Sequence, residues 1–195
     1  MLKKRFAVIN RLSKETDIKI KLNLDGQGKF NIKTGLNFFD HMLEQLAKHG
    51  NFDLDIFCQG DLQVDEHHTI EDIGLVLGEA FKKALGDKKG IERYAFERIL
   101  PMEESLAFVT LDFSGRGLLV FKAKFQREKI GDFPTEMLEH FLASFCQTAG
   151  LNMHLTIEGK NTHHQIEAAF KSLARCLKDA VKITSQDLPS TKGLL

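Results

Sequence analysis

Two short stretches concentrate the reactive side chains of this chain. Asp65–Asp72 reads DEHHTIED, and Asn161–Ala168 reads NTHHQIEA. Each has an adjacent histidine pair, with a glutamate three residues after the second histidine. A third histidine precedes each stretch, His41 in FDHML (Phe39–Leu43) and His140 in LEHFL (Leu138–Leu142). The chain has eight histidines, and six of them occupy these repeated positions. Together with Glu71 and Glu167 they make eight groups able to ligate a metal: His41, His67, His68, Glu71, His140, His163, His164 and Glu167.

Imidazole nitrogen and carboxylate oxygen without sulfur suit Mn²⁺, Fe²⁺, Co²⁺, Ni²⁺ or Zn²⁺ better than Ca²⁺ or Mg²⁺. On a helix, His67 and Glu71 are i, i+4 and share a face, as do His163 and Glu167; His164 and Glu167 are i, i+3. Adjacent histidines diverge by about 100°, so one pair cannot readily chelate a single ion. A duplicated set then implies two ions. First-turn histidines also feel the positive end of the helix, which favours the neutral, ligating form. His49 and His154 lie outside the pattern and read as surface or internally satisfied histidines.

The elements that would position these groups are written twice. Asp65–Leu85 and Asn161–Val181 each read as a helix, with an apolar stripe and basic residues near the end. The two upstream helices run to Gly50 and Gly150, read as residues just past a helix end. LNLDGQG (Leu22–Gly28) parallels LDFSGRG (Leu111–Gly117), and each reads as a hairpin turn between strands. Ile18, Ile20, Leu22 and Leu24 share one strand face; Leu106, Phe108 and Leu118–Phe121 supply the second copy. Lone strands are expected near Phe52–Cys58 and Asn152–Glu158. The expected fold is α+β: two tandem pseudo-symmetric half-domains, each a β-sheet covered by two helices. Their expected bounds are 1–88 and 89–184, packed as one catalytic unit, with 185–195 as a polar tail.

The 195 residues balance 27 Lys and Arg against 27 Asp and Glu. A neutral chain offers no bulk field for nucleic acid or anionic lipid, so any anion must be held by a few placed cations. Three cysteines without a CxxC spacing suggest reduced, buried thiols and a cytoplasmic setting. Neither a signal peptide nor a membrane span is visible. With no Trp, one Tyr and sixteen Phe, the aromatic core is almost wholly phenylalanine.

The chain resembles the imidazoleglycerol-phosphate dehydratases of histidine biosynthesis, in their monofunctional form. The residues that carry this are FFDHMLEQL (Phe38–Leu46), DEHHTIED, PMEESLAF (Pro101–Phe108), SGRG (Ser114–Gly117), LEHF (Leu138–Phe141), NTHHQIEAAFKSLAR (Asn161–Arg175) and STKG (Ser190–Gly193). They span nearly the whole chain in order. The resemblance implies half-domains like the second domain of ribosomal protein S5, and two Mn²⁺ ions per active site held by the eight ligands above. It also implies a homo-oligomer of trimers assembled into a 24-subunit shell, with active sites between subunits. The substrate it implies is a phosphorylated small molecule, imidazole glycerol phosphate, which loses water to give imidazole acetol phosphate by way of a metal-bound imidazolate.

It further implies catalytic roles for Glu15, His67, Glu71, His163 and Glu167, and substrate contacts at Glu15, Gln45, Arg93, Arg116, Lys171, Ser190 and Lys192. Either a carboxylate, for which Glu15 is the candidate, or a metal-bound water is expected to move the proton. Arg116, expected at a hairpin tip, stands where the first copy has Gln27. Two positions depart from the family pattern: Glu103, where Asp is usual, and Gly117, where Pro is usual and whose glycine is expected to loosen the loop carrying Arg116. Two other classes of function remain open, a dinuclear metal-dependent phosphoester hydrolase and a metal-storage or scaffold protein. A nucleic-acid partner is disfavoured by the zero net charge.

Overall fold

The computed structural model describes residues 4–195; of Phe96, Glu97 and Arg98 only the backbone is described. In the first half, strands β1 (Phe6–Leu12), β2 (Thr16–Asn23), β3 (Phe30–Lys33) and β4 (Asp53–Gly60) accompany helices α1 (Asn37–Gly50) and α2 (His67–Leu85). The second half contains β5 (Tyr94–Met102), β6 (Ser105–Asp112), β7 (Leu118–Lys122), the short pair β8 (Lys129–Ile130) and β9 (Phe133–Pro134), α3 (Glu136–Ala149), β10 (Asn152–Glu158) and α4 (Thr162–Ala180). The two main sheets have orders β1-β2-β4-β3 and β5-β6-β10-β7. These are the same topology, as the repeat in the sequence requires. The fold is α+β with tandem half-domains.

Strand order corrects one expectation. Neither LNLDGQG nor LDFSGRG is a hairpin turn. β4 lies between β2 and β3, antiparallel to one and parallel to the other. β10 separates β6 from β7 in the same way. Each glycine-bearing loop therefore crosses two strand spacings, about 10 Å, and Arg116 sits on a crossover rather than at a hairpin tip. The true hairpins join β1 to β2 and β5 to β6.

The buried faces follow period-2 alternation. Ile18, Ile20 and Leu22 are fully buried and Leu24 nearly so. In β6 the parity differs from expectation: Ala107, Val109 and Leu111 face the core, while Leu106 and Phe108 are half-buried. Apolar residues occupy both faces of that strand, so alternation alone could not choose between them.

The helices form the middle of the molecule. α1 packs on α4 and α2 on α3, so each helix of one half meets a helix of the other. Gly74 and Gly78 permit the α2–α3 approach. A Cβ on Gly74 would lie 2.8 Å from the Phe141 carbonyl oxygen, and one on Gly78 2.9 Å from the Ala149 nitrogen. Phenylalanines fill the interior edge-to-face: Phe81 against Phe145 at 5.4 Å and Phe39 against Phe141 at 5.2 Å. Such pairs add about 0.5–1.5 kcal/mol beyond the area they bury.

The helix ends are secured differently in the two copies. At the end of α1 the left-handed residue is Asn51, not the expected Gly50, whereas Gly150 takes that role after α3. The start of α1 is capped from the other half: Asp132 accepts from the backbone N–H of Asn37 at 2.6 Å and of Phe38 at 3.0 Å. Cys58, Cys146 and Cys176 are buried and not disulfide-bonded. No helix among the described residues is long and apolar enough to cross a membrane.

Candidate metal centre and anion chamber

The helical spacing of the histidine motifs is realised. α2 and α4 begin at the motifs, and Asn161 caps α4 by accepting from the His163 N–H at 3.0 Å. His163 Nε2 lies 3.0 Å from Glu167 Oε2, and His67 Nε2 lies 3.8 Å from Glu71 Oε2. The third member of each group comes from the opposite half of the chain. His41 on α1 places Nε2 3.8 Å from Glu167, and His140 on α3 places Nε2 3.3 Å from Glu71. Among the described residues, two groups have ligand atoms close enough to share an ion: His41–His163–Glu167 and His67–Glu71–His140.

The donor chemistry fits a divalent transition metal, two imidazoles and a carboxylate per group with room for further ligands. The His140 Nε2 atom is buried and, although 3.3 Å from Glu71 Oε1, makes no well-aligned hydrogen bond. A buried nitrogen left bare is costly unless something binds it, and a cation held with His67 and Glu71 would satisfy it.

His68 and His164 do not join these groups. They diverge around the helix from His67 and His163, with ring centroids 6.2 and 6.1 Å apart. His68 Nδ1 meets Asp61 at 3.0 Å, and its Nε2 lies 3.7 Å from Glu15. His164 Nδ1 meets Glu104 at 2.9 Å. The Asp61 hydrogen bond raises the His68 pKa. The hydrogen bond from His164 and the N–H of Asn161 hold the Glu104 carboxyl far below the usual carboxylate range. Single-chain geometry thus groups six of the eight expected ligands and leaves two outside both groups.

The expected anion contacts also divide. Arg93, Arg116, Ser190 and Lys192 line one cavity of about 430 Å³. Arg93 is fixed there by Asp112, at 2.7 Å from Nε, and by the Pro189 carbonyl at 2.7 Å. This second contact ties residues of the 185–195 segment to the cavity wall. Gly117 seats the Arg116 loop directly on α3, where a Cβ would meet the Cys146 carbonyl oxygen at 2.7 Å. Its glycine is therefore a close-approach residue, not a loosening one. Glu103 adopts φ 49° in the β5–β6 turn, a conformation Asp tolerates better than Glu.

Lys171 lies apart from this cavity's lining, with Nζ 2.7 Å from Glu167 Oε1. Gln45 sits between two histidines, 3.5 Å from His41 Nδ1 and 3.2 Å from His49 Nε2. His49, read from the sequence as a bystander, therefore borders the His41 group. Burial, with Lys171 and Arg175 nearby, lowers its pKa. Sequence reasoning also missed Asp61 and Glu104. The only available signal was an acid near a loop start, too common to single out.

The family model for imidazoleglycerol-phosphate dehydratase matches residues 34–177. The chain belongs to that family. The Staphylococcus aureus imidazoleglycerol-phosphate dehydratase structure superposes with a TM-score of 0.83 at 38% identity, covering 92% of this chain and 99% of that one. The Pyrococcus furiosus dehydratase, solved in complex with a ligand, gives 0.84 at 33% identity, covering 96% and 100%. The histidine biosynthesis bifunctional protein HisB of Stenotrophomonas maltophilia is 56% identical over 191 residues, that of Spirosoma linguale 57% over 194. Each match takes in 98% of this chain but 53% and 50% of the relative, so the chain spans about half the length of these curated relatives. This member of the family thus carries two His/His/Glu groups, each assembled across its duplicated halves.

Proposed function

We propose that this protein is a hydro-lyase of histidine biosynthesis that dehydrates imidazole glycerol phosphate to imidazole acetol phosphate, and that it holds two Mn²⁺ ions per active site. The observation that carries this is the pair of His/His/Glu groups in a chain of the dehydratase family. His41, His163 and Glu167 would hold one ion and His67, Glu71 and His140 the other. His68 and His164 lie outside both groups, which suits sites completed between subunits of a homo-oligomer, trimers forming a 24-subunit shell. The compartment proposed is the cytoplasm, supported by three unbridged thiols.

Bound divalent cations would supply Lewis acidity, lowering the pKa of an azole N–H that binds them. The chain's own residues do the rest. Arg93, Arg116, Ser190 and Lys192 suit the phosphate: guanidinium groups give forked contacts, while Lys supplies a point charge. With sites between subunits, one copy's cavity can serve another copy's histidine groups. Lys171 and Gln45, beside the His41 group, suit the glycerol phosphate chain. Holding that chain at both ends aligns the C–H and C–OH bonds that must break. Glu15 is half-exposed near His68 Nε2 and suits moving the carbon-bound proton.

The phosphoester-hydrolase reading has no support from the family. One assay separates the two: metal analysis combined with product analysis on imidazole glycerol phosphate. The dehydratase leaves phosphate on the product and requires metal. Release of inorganic phosphate, or full turnover by metal-free protein, would contradict the proposal.

A further inference from the structure

Asp61 and Glu104 meet equivalent histidines in the two halves, and they do so from unrelated places. Asp61 directly follows β4, while Glu104 lies in the turn between β5 and β6. The repeat does not map one onto the other: the first-half counterpart of the Glu104 turn is the β1–β2 turn that carries Glu15. Yet each acid meets the second histidine of its HHxxE motif at Nδ1, His68 at 3.0 Å and His164 at 2.9 Å. Asp61 reaches its histidine with both oxygens, the other at 3.2 Å. Glu104 is fixed further by accepting from the backbone N–H groups of Asn161, at 2.6 Å, and Lys160, at 3.2 Å.

An ionised carboxylate only accepts, so the shared hydrogen must sit on Nδ1. A neutral imidazole carries one N–H, so Nε2 is left with its lone pair. We infer that Asp61 and Glu104 are positioning residues that fix His68 and His164 in the Nδ1–H tautomer, leaving the Nε2 lone pair available to a divalent cation. A carboxylate behind a ligating histidine both orients the ring and raises its basicity. Glu15 is distinct from this pair. It approaches His68 at Nε2, the open side, so it is placed to meet whatever binds there and not to orient the ring. Asp61 also donates its N–H to the Glu15 carbonyl at 3.0 Å. One short contact therefore keeps both acids in register on opposite edges of the same imidazole.

This inference rests on the metal-dependent reading above, and the test separates the two. Mn²⁺ binding to the intact assembled protein is measured by titration calorimetry for the wild type, Asp61→Ala, Glu104→Ala, and the near-isosteric Asp61→Asn and Glu104→Gln. The visible spectrum of the Co²⁺-loaded forms and the melting temperature of the metal-free forms are recorded alongside. The alanine variants should lose roughly ten- to a hundredfold in metal affinity, with an altered Co²⁺ spectrum; the metal-free melting temperature should stay unchanged in Asp61→Ala and fall in Glu104→Ala, which also loses the acceptor of the Asn161 and Lys160 N–H groups. The amide variants keep an acceptor and should recover part of the loss. Wild-type affinity in Asp61→Ala and Glu104→Ala would overturn the positioning role while leaving the metal reading intact. A loss in Asp61→Ala matched by a lowered metal-free melting temperature, or a Glu104→Gln variant with wild-type metal affinity and an unaltered Co²⁺ spectrum, would also overturn it. A wild-type protein that binds no divalent cation would overturn the metal reading itself.

Discussion

His41 and Glu167 belong to opposite halves of a duplicated chain, yet His41 Nε2 lies 3.8 Å from Glu167 Oε2. The pseudo-symmetric contact joins His140 to Glu71 at 3.3 Å. Both depend on α1 crossing α4 and α2 crossing α3. Each candidate metal group is therefore also a clasp between halves, so removing a ligand should be felt in assembly as well as in chemistry. His41→Ala, Glu167→Gln and His140→Ala should each lower retained Mn²⁺ after dialysis and reduce turnover by orders of magnitude. Elemental analysis with a product assay checks this; full metal content in all three variants would contradict it.

Lys171 pairs with Glu167 at 2.7 Å and is largely buried, so its ammonium is held beside the His41 group. If it contacts the substrate's phosphorylated chain, Lys171→Ala removes a charged hydrogen bond worth about 1.5–3 kcal/mol. Steady-state kinetics should then show KM raised roughly ten- to a hundredfold, with kcat much less affected. An unchanged KM removes Lys171 from substrate binding.

Two effects compete at Gly78. Alanine is the better helix former by about 1 kcal/mol. A Cβ there would, however, lie 2.5 Å from the Phe145 carbonyl oxygen and 2.9 Å from the Ala149 nitrogen. These are backbone atoms of a packed helix and cannot rotate away, so overpacking of about 1–3 kcal/mol should dominate. For a chain of this size each kcal/mol lowers Tm by roughly 2–4 °C. Calorimetry on Gly78→Ala should show a lower Tm; an increase would mean that α2 and α3 separate at little cost.

The thiols give a pH prediction. Burial pushes Cys58 and Cys146 up from 9.0 to about 12, with Asp72 adding to the effect at Cys58. In the unfolded chain these thiols ionise near 9.0, while in the folded chain they hold their protons. Below that pH both states are protonated and the thiols do not make stability pH-dependent. Between pH 9 and 12 only the unfolded state loses protons, so stability falls as pH rises. Cys58→Ser and Cys146→Ser should flatten the alkaline limb of a denaturation profile, whatever their effect at pH 7. Disulfide-reagent titration at pH 7 should find both thiols slow in the native protein and fast in guanidinium. Rapid native labelling would contradict the burial.

The sequence alone determined what depends on local geometry. The HHxxE spacing places His67 over Glu71 and His163 over Glu167 because helical pitch fixes which side chains share a face. The same pitch sends His68 and His164 elsewhere. The duplication fixed the pattern of elements, and alternation fixed the buried face of β2. The tertiary structure decided everything that needed two distant segments to meet. Strand order turned the loops after β2 and β6 into crossovers, because β4 and β10 insert between the strands those loops join. Helix packing drew His41 to the group on α4 and His140 to the group on α2. Asp132 capped α1, and Asp61 and Glu104 reached their histidines, by contacts that no local rule specifies. Spacing along the chain carries angles around a single helix axis; it carries no information on which helix faces which, and that choice is made by close approach at Gly74 and Gly78 and by the fit of the phenylalanine core.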